Sequence, residues 1–121
     1  MAEHTMNLRP APFAMIASGE KTIELRLYDE KRQTIAVGDT IRFTNTADGH
    51  QSLLAEVTAL HRFADFEELY RMLPLLKCGY TEEDVGNASP SDMEEYYPPE
   101  KQKKYGVLGI ELRLCAEGRE S

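Results

Sequence analysis

The chain has 121 residues, 41% hydrophobic and 29% charged, the make-up of one ordinary globular domain over residues 1–121 without a disordered tract. Lys and Arg number 14 against 21 Asp and Glu, a net charge of −7. This excludes a surface that coats long nucleic acid non-specifically, which needs clustered cations. No run approaches the roughly 20 apolar residues of a membrane span.

Met1-Ala2-Glu3-His4 lacks the basic start and apolar core of a secretory signal, so a cytoplasmic protein is expected. Cys78 and Cys115, with His4, His50 and His61, have no metal-ligand spacing. They read as free thiols and scattered imidazoles, and no metal or cofactor is expected.

Residues 4–8 read as a first strand. Pro10 and Pro12 suit a helix start, where a missing N–H costs nothing, and Gly19 suits the cap at its end. Residues 22–28 alternate, with Ile23, Leu25 and Leu27 on one face and Thr22, Glu24, Arg26 and Tyr28 on the other. Gly38-Asp39 turns into a strand carrying Ile41 and Phe43, and Asp48-Gly49 marks a hairpin to a strand over 52–60.

A helix follows from Phe63 to Leu73, with Asp65 and Glu68 at capping-box spacing and Pro74 as its stop. Thr81 caps a turn over Glu82 to Val85, and Ser89-Pro90-Ser91-Asp92 opens a short helix over Met93 to Tyr97. The last strand spans Tyr105 to Leu114. Five strands with helices between them, but no doubly wound pattern, predict an α+β fold: a small, mixed, curled β-barrel with helices packed outside.

The chemistry concentrates in Gly19-Glu20-Lys21-Thr22-Ile23-Glu24-Leu25-Arg26. Lys21 sits at the lip where a helix turns into a strand, and Thr22, Glu24 and Arg26 project from one strand face about 7 Å apart. Arg26 can fork onto a phosphate or a base edge, and Glu24 can accept from an exocyclic amine or hold Arg26. The plain alternative is a solvated face with a weak Glu24–Arg26 ion pair.

Gly19, Lys21, Thr22, Glu24 and Arg26 together resemble the G-x-K-T-x-E-x-R signature of the ASCH domain, a PUA-like family. The resemblance continues through Gly38 to Phe43 and from Lys104 to Ile110. It implies a small β-barrel with a cleft beside the signature that takes RNA or a nucleotide, lined by Lys21, Thr22, Glu24 and Arg26.

One bacterial branch of the family is similar to amidohydrolases that deacetylate N4-acetylcytidine with a lysine, a threonine and a glutamate. Lys21 matches the lysine, Glu24 stands where the threonine falls, and Glu82, Glu83 and Asp84 are candidates for the third residue. As an enzyme, the chain would rely on Lys21 and on Glu24 promoting direct attack by water.

Tyr96, Tyr97 and Tyr105 surround the basic run Lys101 to Lys104. The lysines are read as complementing a helix C-terminus, and Tyr105 is expected at the cleft. The seven carboxylates between Thr81 and Glu100 read as a solvated helical face. Met72, Leu73, Leu75 and Leu76 read as core or as a dimer contact, and an interaction module binding a protein partner through its outer helices is the third functional class.

Overall fold

The structure is a computed structural model that describes residues 1–115. Five strands form one mixed sheet in the order β1-β3-β4-β5-β2. They are β1 (Glu3–Leu8), β2 (Ile23–Leu27), β3 (Thr40–Asn45), β4 (Asp48–Phe63) and β5 (Val107–Leu114), with helices α1 (Pro10–Ser18), α2 (Phe66–Met72) and α3 (Pro99–Tyr105). The β1–β3 pair is parallel and the other three pairs are antiparallel.

The edge strands β1 and β2 do not pair, yet the sheet curls enough for Arg26 Nη2 of β2 to donate to the Asn7 carbonyl of β1 at 2.9 Å. The expected barrel is thus a half-barrel, open along a seam between β1 and β2. No helix among the described residues is long and apolar enough to cross a membrane.

Two apolar clusters fill the two faces. On one, α1 lays Phe13 and Ile16 against Ile41, Phe43, Leu108 and Ile110. On the other, α2 lays Phe66 and Leu69 against Ile23, Leu25, Leu27 and Val107. The alternation of β2 therefore holds, but both of its faces are covered, and Glu24 is only 4% exposed.

Several boundaries differ from expectation for local reasons. The β3–β4 turn is Thr46-Ala47, one dipeptide early: Asn45 Oδ1 accepts the Ala47 N–H at 2.9 Å, an Asx turn that needs no positive φ. Asp48-Gly49 already belongs to β4, which runs 16 residues. Phe63 ends that strand, and α2 starts only where Asp65 accepts from the Glu68 N–H.

The helix expected over Met93–Tyr97 is a 3-10 turn over Pro90–Met93, capped by Ser89 and Asp92. Tyr105 closes α3 instead of opening β5, because Gly106 reverses the chain at φ +77°. Lys103 and Lys104 do lie in the last turn of α3, where cations suit the helix dipole. Leu73 and Leu75 pack against the second cluster, while Met72 and Leu76 are exposed.

Asp39 ties the ends of β1 and β3 together. Its carboxylate accepts the backbone N–H groups of Ala2 and Ala36, each at 3.0 Å, and meets His4 Nε2 at 2.8 Å. These hydrogen bonds, that from His4 foremost, hold its pKa down at about 2. A carboxyl depressed on folding stabilises the native state fully above its unfolded value and less as pH falls through the folded one. Stability should therefore decline between pH ~4 and ~2 in urea titrations, and Asp39→Asn should flatten that limb while lowering the melting temperature at neutral pH.

Candidate functional site

An open cleft of about 580 Å³ lies over the seam, with walls from β1, the start of α1, β2, α2 and the segment between α2 and α3. Its base is a charged triad. The Lys21 ammonium is 2.8 Å from Glu24 Oε1, and Arg26 Nε donates to Glu24 Oε2 at 2.7 Å. The side chains of all three are 13% exposed or less.

Each member is held from the sequence upward. Gly19 ends α1 in the left-handed region at φ +86°, which only glycine adopts cheaply. The chain then folds back so that the Lys21 N–H reaches the Met15 carbonyl at 3.0 Å. Gly79, at φ +112°, lies under the Lys21 side chain, and a Cβ there would meet Lys21 Cδ at 3.4 Å. β2 carries Glu24 and Arg26 in register with Ile110 and Leu108 of β5.

Burial alone would push the Glu24 carboxyl up. The Lys21 and Arg26 charges beside it more than offset that, and its pKa lies below the ordinary value. Burial likewise opposes the Arg26 charge, but the Glu24 carboxylate outweighs it and leaves the guanidinium raised. Glu24 Oε1 is fully buried and has the Lys21 ammonium as its close partner.

The facing wall is aromatic and was not foreseen as a unit. Tyr70, Tyr80, Tyr96 and Tyr97 line the cleft. The Tyr70 and Tyr80 hydroxyls are 2.7 Å apart, and Tyr80 donates to Asp92 Oδ2 at 2.7 Å. Burial raises all three of Tyr70, Tyr80 and Tyr97, Tyr80 further still through its bonds to Tyr70 and Asp92. Burial also pushes the Cys78 thiol up to about 11. At the mouth, Arg9 lies 4.8 Å over the Tyr96 ring and donates to its hydroxyl.

Of the expected site residues, Lys21, Glu24 and Arg26 come together in the cleft. Thr22 does not line it; its backbone is taken up by Lys77 and Leu112 at the end of β2. Tyr105 lines a different groove, at the far end of α3. Glu82, Glu83 and Asp84 are exposed and outside the cleft.

All seven carboxylates of the acidic stretch are exposed, as a solvated face requires, and Asp92 among them also lines the cleft. The sequence marks it as a cap and as one of the solvated carboxylates, and the cap is present. Arg9 was hidden in Arg9-Pro10-Ala11-Pro12, where the prolines dominate the pattern. Among the described residues no three of His, Cys, Asp and Glu gather as a metal site would require.

The family model described as the ASCH domain matches residues 6–115. The crystal structure of hypothetical protein PH0355 is similar over 95% of this chain and 100% of that one, at 30% identity and a TM-score of 0.77. The solution structure of PF0455 from Pyrococcus furiosus covers 93% of this chain and 96% of its own, at 33% identity and TM-score 0.68. ASCH from Zymomonas mobilis, at 19% identity and TM-score 0.64, shares the fold over 92% of this chain and 66% of its own length. No curated protein matches the chain.

Removing the carboxylate should be more damaging than removing one cation. Glu24→Ala leaves two buried cations facing each other, and a loss of about 3–5 kcal/mol is expected in denaturant unfolding. Lys21→Met leaves the Glu24–Arg26 pair intact and should lose clearly less.

Proposed function

The chain belongs to the ASCH domain family, a PUA-like fold, and from that premise we propose that its cleft binds a nucleotide or one element of an RNA. The observation that carries the reading is the pairing of the buried Lys21–Glu24–Arg26 triad with an aromatic wall in one cleft. A nucleobase has a flat apolar face and an edge that mixes donors with acceptors. The tyrosines suit the face, where stacking is worth ~1–3 kcal/mol per base. Held in place by Glu24, the Lys21 ammonium donates to a carbonyl oxygen or ring nitrogen of the edge.

The charge balance supports a small ligand. The cations Arg9, Lys21 and Arg26 face the carboxylates Glu24 and Asp92 in the cleft, a surplus of one in a chain of net charge −7. This suits a base or a nucleotide at a strand end more than a long backbone.

The amidohydrolase alternative fits less well. A general base needs a pKa near the working pH, whereas two cations hold Glu24 ionised and low. Among the described residues no serine or threonine lines the cleft, burial raises Tyr70, Tyr80, Tyr97 and Cys78 away from nucleophilic forms, and Thr22 is elsewhere.

Nucleoside monophosphates titrated into the protein by calorimetry should bind, and Lys21→Ala should weaken the preferred one about 10- to 100-fold, matching the ~1.5–3 kcal/mol of a charged hydrogen bond. Affinity unchanged in both Lys21→Ala and Arg26→Lys would place the site elsewhere. N4-acetylcytidine incubated with the protein should be recovered intact by chromatography. Cytidine release that disappears in Lys21→Ala would replace binding by hydrolysis as the activity.

A further inference from the structure

Two concavities lie side by side outside the cleft. One, of about 590 Å³, is walled by α2, α3 and the turn at Pro90, and its ionisable lining is Asp65, Glu67 and Glu94 against Lys103. The other is a groove of about 480 Å³ where β4 ends and α3 closes, with Arg62, Lys103 and Lys104 against Glu68. Ala64 and Lys103 line both and form the ridge between them. One face thus carries an acidic half, three anions to one cation, beside a basic half with the reverse ratio.

The chain does not neutralise these charges itself. Glu67, Glu94, Arg62, Lys103 and Lys104 are all exposed. Among the described residues Glu94 and the three cations have no opposite charge within ion-pair distance, whereas Arg32 and Arg113 each have one. Glu67 meets Arg71 only at 4.0 Å, with both side chains well exposed. Arg62 lies 4.1 Å over the Tyr28 ring and Lys104 lies 5.0 Å over the Tyr105 ring, contacts that hold a cation in place without cancelling its charge. The anion of the basic half is engaged, since Glu68 Oε1 accepts the Ala64 N–H at 2.9 Å.

A face whose two halves bear opposite charge is complementary to itself under a two-fold rotation about the ridge between them. The basic half of one copy then covers the acidic half of the other, and the reciprocal contact forms at the same time. Two copies of a chain of net charge −7 repel at long range. Association therefore needs a place where opposite signs meet at close range, and this face provides one. Pro90 and Pro99 in the acidic half and Tyr28 and Tyr105 in the basic half add rigid apolar surface around the charges.

We propose that this face is occupied by a second copy of the chain, in a two-fold dimer with its axis at the Ala64–Lys103 ridge. Arg62, Lys103 and Lys104 of each copy lie against Glu67 and Glu94 of the other. Neither concavity shares a lining residue with the cleft, so each dimer carries two clefts that the contact does not line. The inference goes beyond the nucleotide reading and does not depend on it. A small contact rich in charge, at or below ~1,200 Å², makes a weak and transient dimer.

The test is sedimentation velocity over a concentration series reaching ~1 mM, the range of a weak contact. Wild type should pass from monomer to dimer as concentration rises. Lys103→Glu with Lys104→Glu, and separately Glu67→Lys with Glu94→Lys, should each raise the dissociation constant at least about tenfold, because each sets like charges together twice per dimer. Mixed one to one, the two variants should associate with each other at close to wild-type affinity, since each reversed half then meets its opposite. Misfolded variants could not restore one another in this way.

A wild type that stays monomeric throughout overturns the proposal, as does a dimer that both charge reversals leave intact. A mixture of the two variants that fails to associate overturns it too. Growth beyond the dimer contradicts the two-fold closure. Dimerisation lost in Met72→Glu with Leu76→Glu, but not in the charge reversals, would place the contact on those exposed apolar side chains instead. Calorimetric nucleotide binding should be the same in wild type and both variants, so failure of the cleft reading leaves this result standing.

Discussion

A carboxylate taken out of water must be given back most of its solvation by its neighbours, and in this molecule that demand falls on Glu24. It is met by Lys21 from the turn before the strand and by Arg26 from two residues beyond. Arg26 has a further donor, and it is directed across the seam to the Asn7 carbonyl. One ionic cluster thus fixes the approach of two edge strands that exchange no ladder hydrogen bonds. It also defines the floor of the cleft that the missing ladder leaves open.

Much of the surrounding architecture serves that cluster. The left-handed Gly19 lets the end of α1 pass straight into β2, and Gly79, at φ +112°, turns the chain where the Lys21 stem lies against it. The second apolar cluster fixes β2 from the opposite face through Ile23, Leu25 and Leu27. A rigid strand is what allows a buried ion pair to keep its geometry. Lys21, Glu24 and Arg26 are thereby held in fixed relation to one another, with the Glu24 carboxyl kept ionised.

The overall negative charge acquires a positional meaning. Carboxylates dominate the segment between α2 and α3, where all six are exposed, while Arg62, Lys103 and Lys104, which have no carboxylate within ion-pair distance among the described residues, gather at one groove. Such segregation narrows where an anionic ligand can lie. Asp92 stands apart from its acidic neighbours because Tyr80 draws it into the wall of the cleft.

The sequence by itself determined the strands, the two helix caps at Gly19 and Asp65, and the placing of Lys21, Glu24 and Arg26 at one end of one strand. Those features are local: period-two alternation, a glycine that must take positive φ, and a capping side chain each act within a few residues. It erred where two local signals competed, as at Asn45, whose side chain set the turn before Asp48-Gly49 could, and at Gly106, which ended a helix at Tyr105. Tertiary structure alone decided that the polar face of β2 is buried, that Thr22 and Tyr105 lie outside the cleft, and that Arg9, Tyr80 and Asp92 lie within it. Those choices depend on how far the sheet curls and on which distant segment closes over its seam, and both are set by packing between residues far apart in the chain.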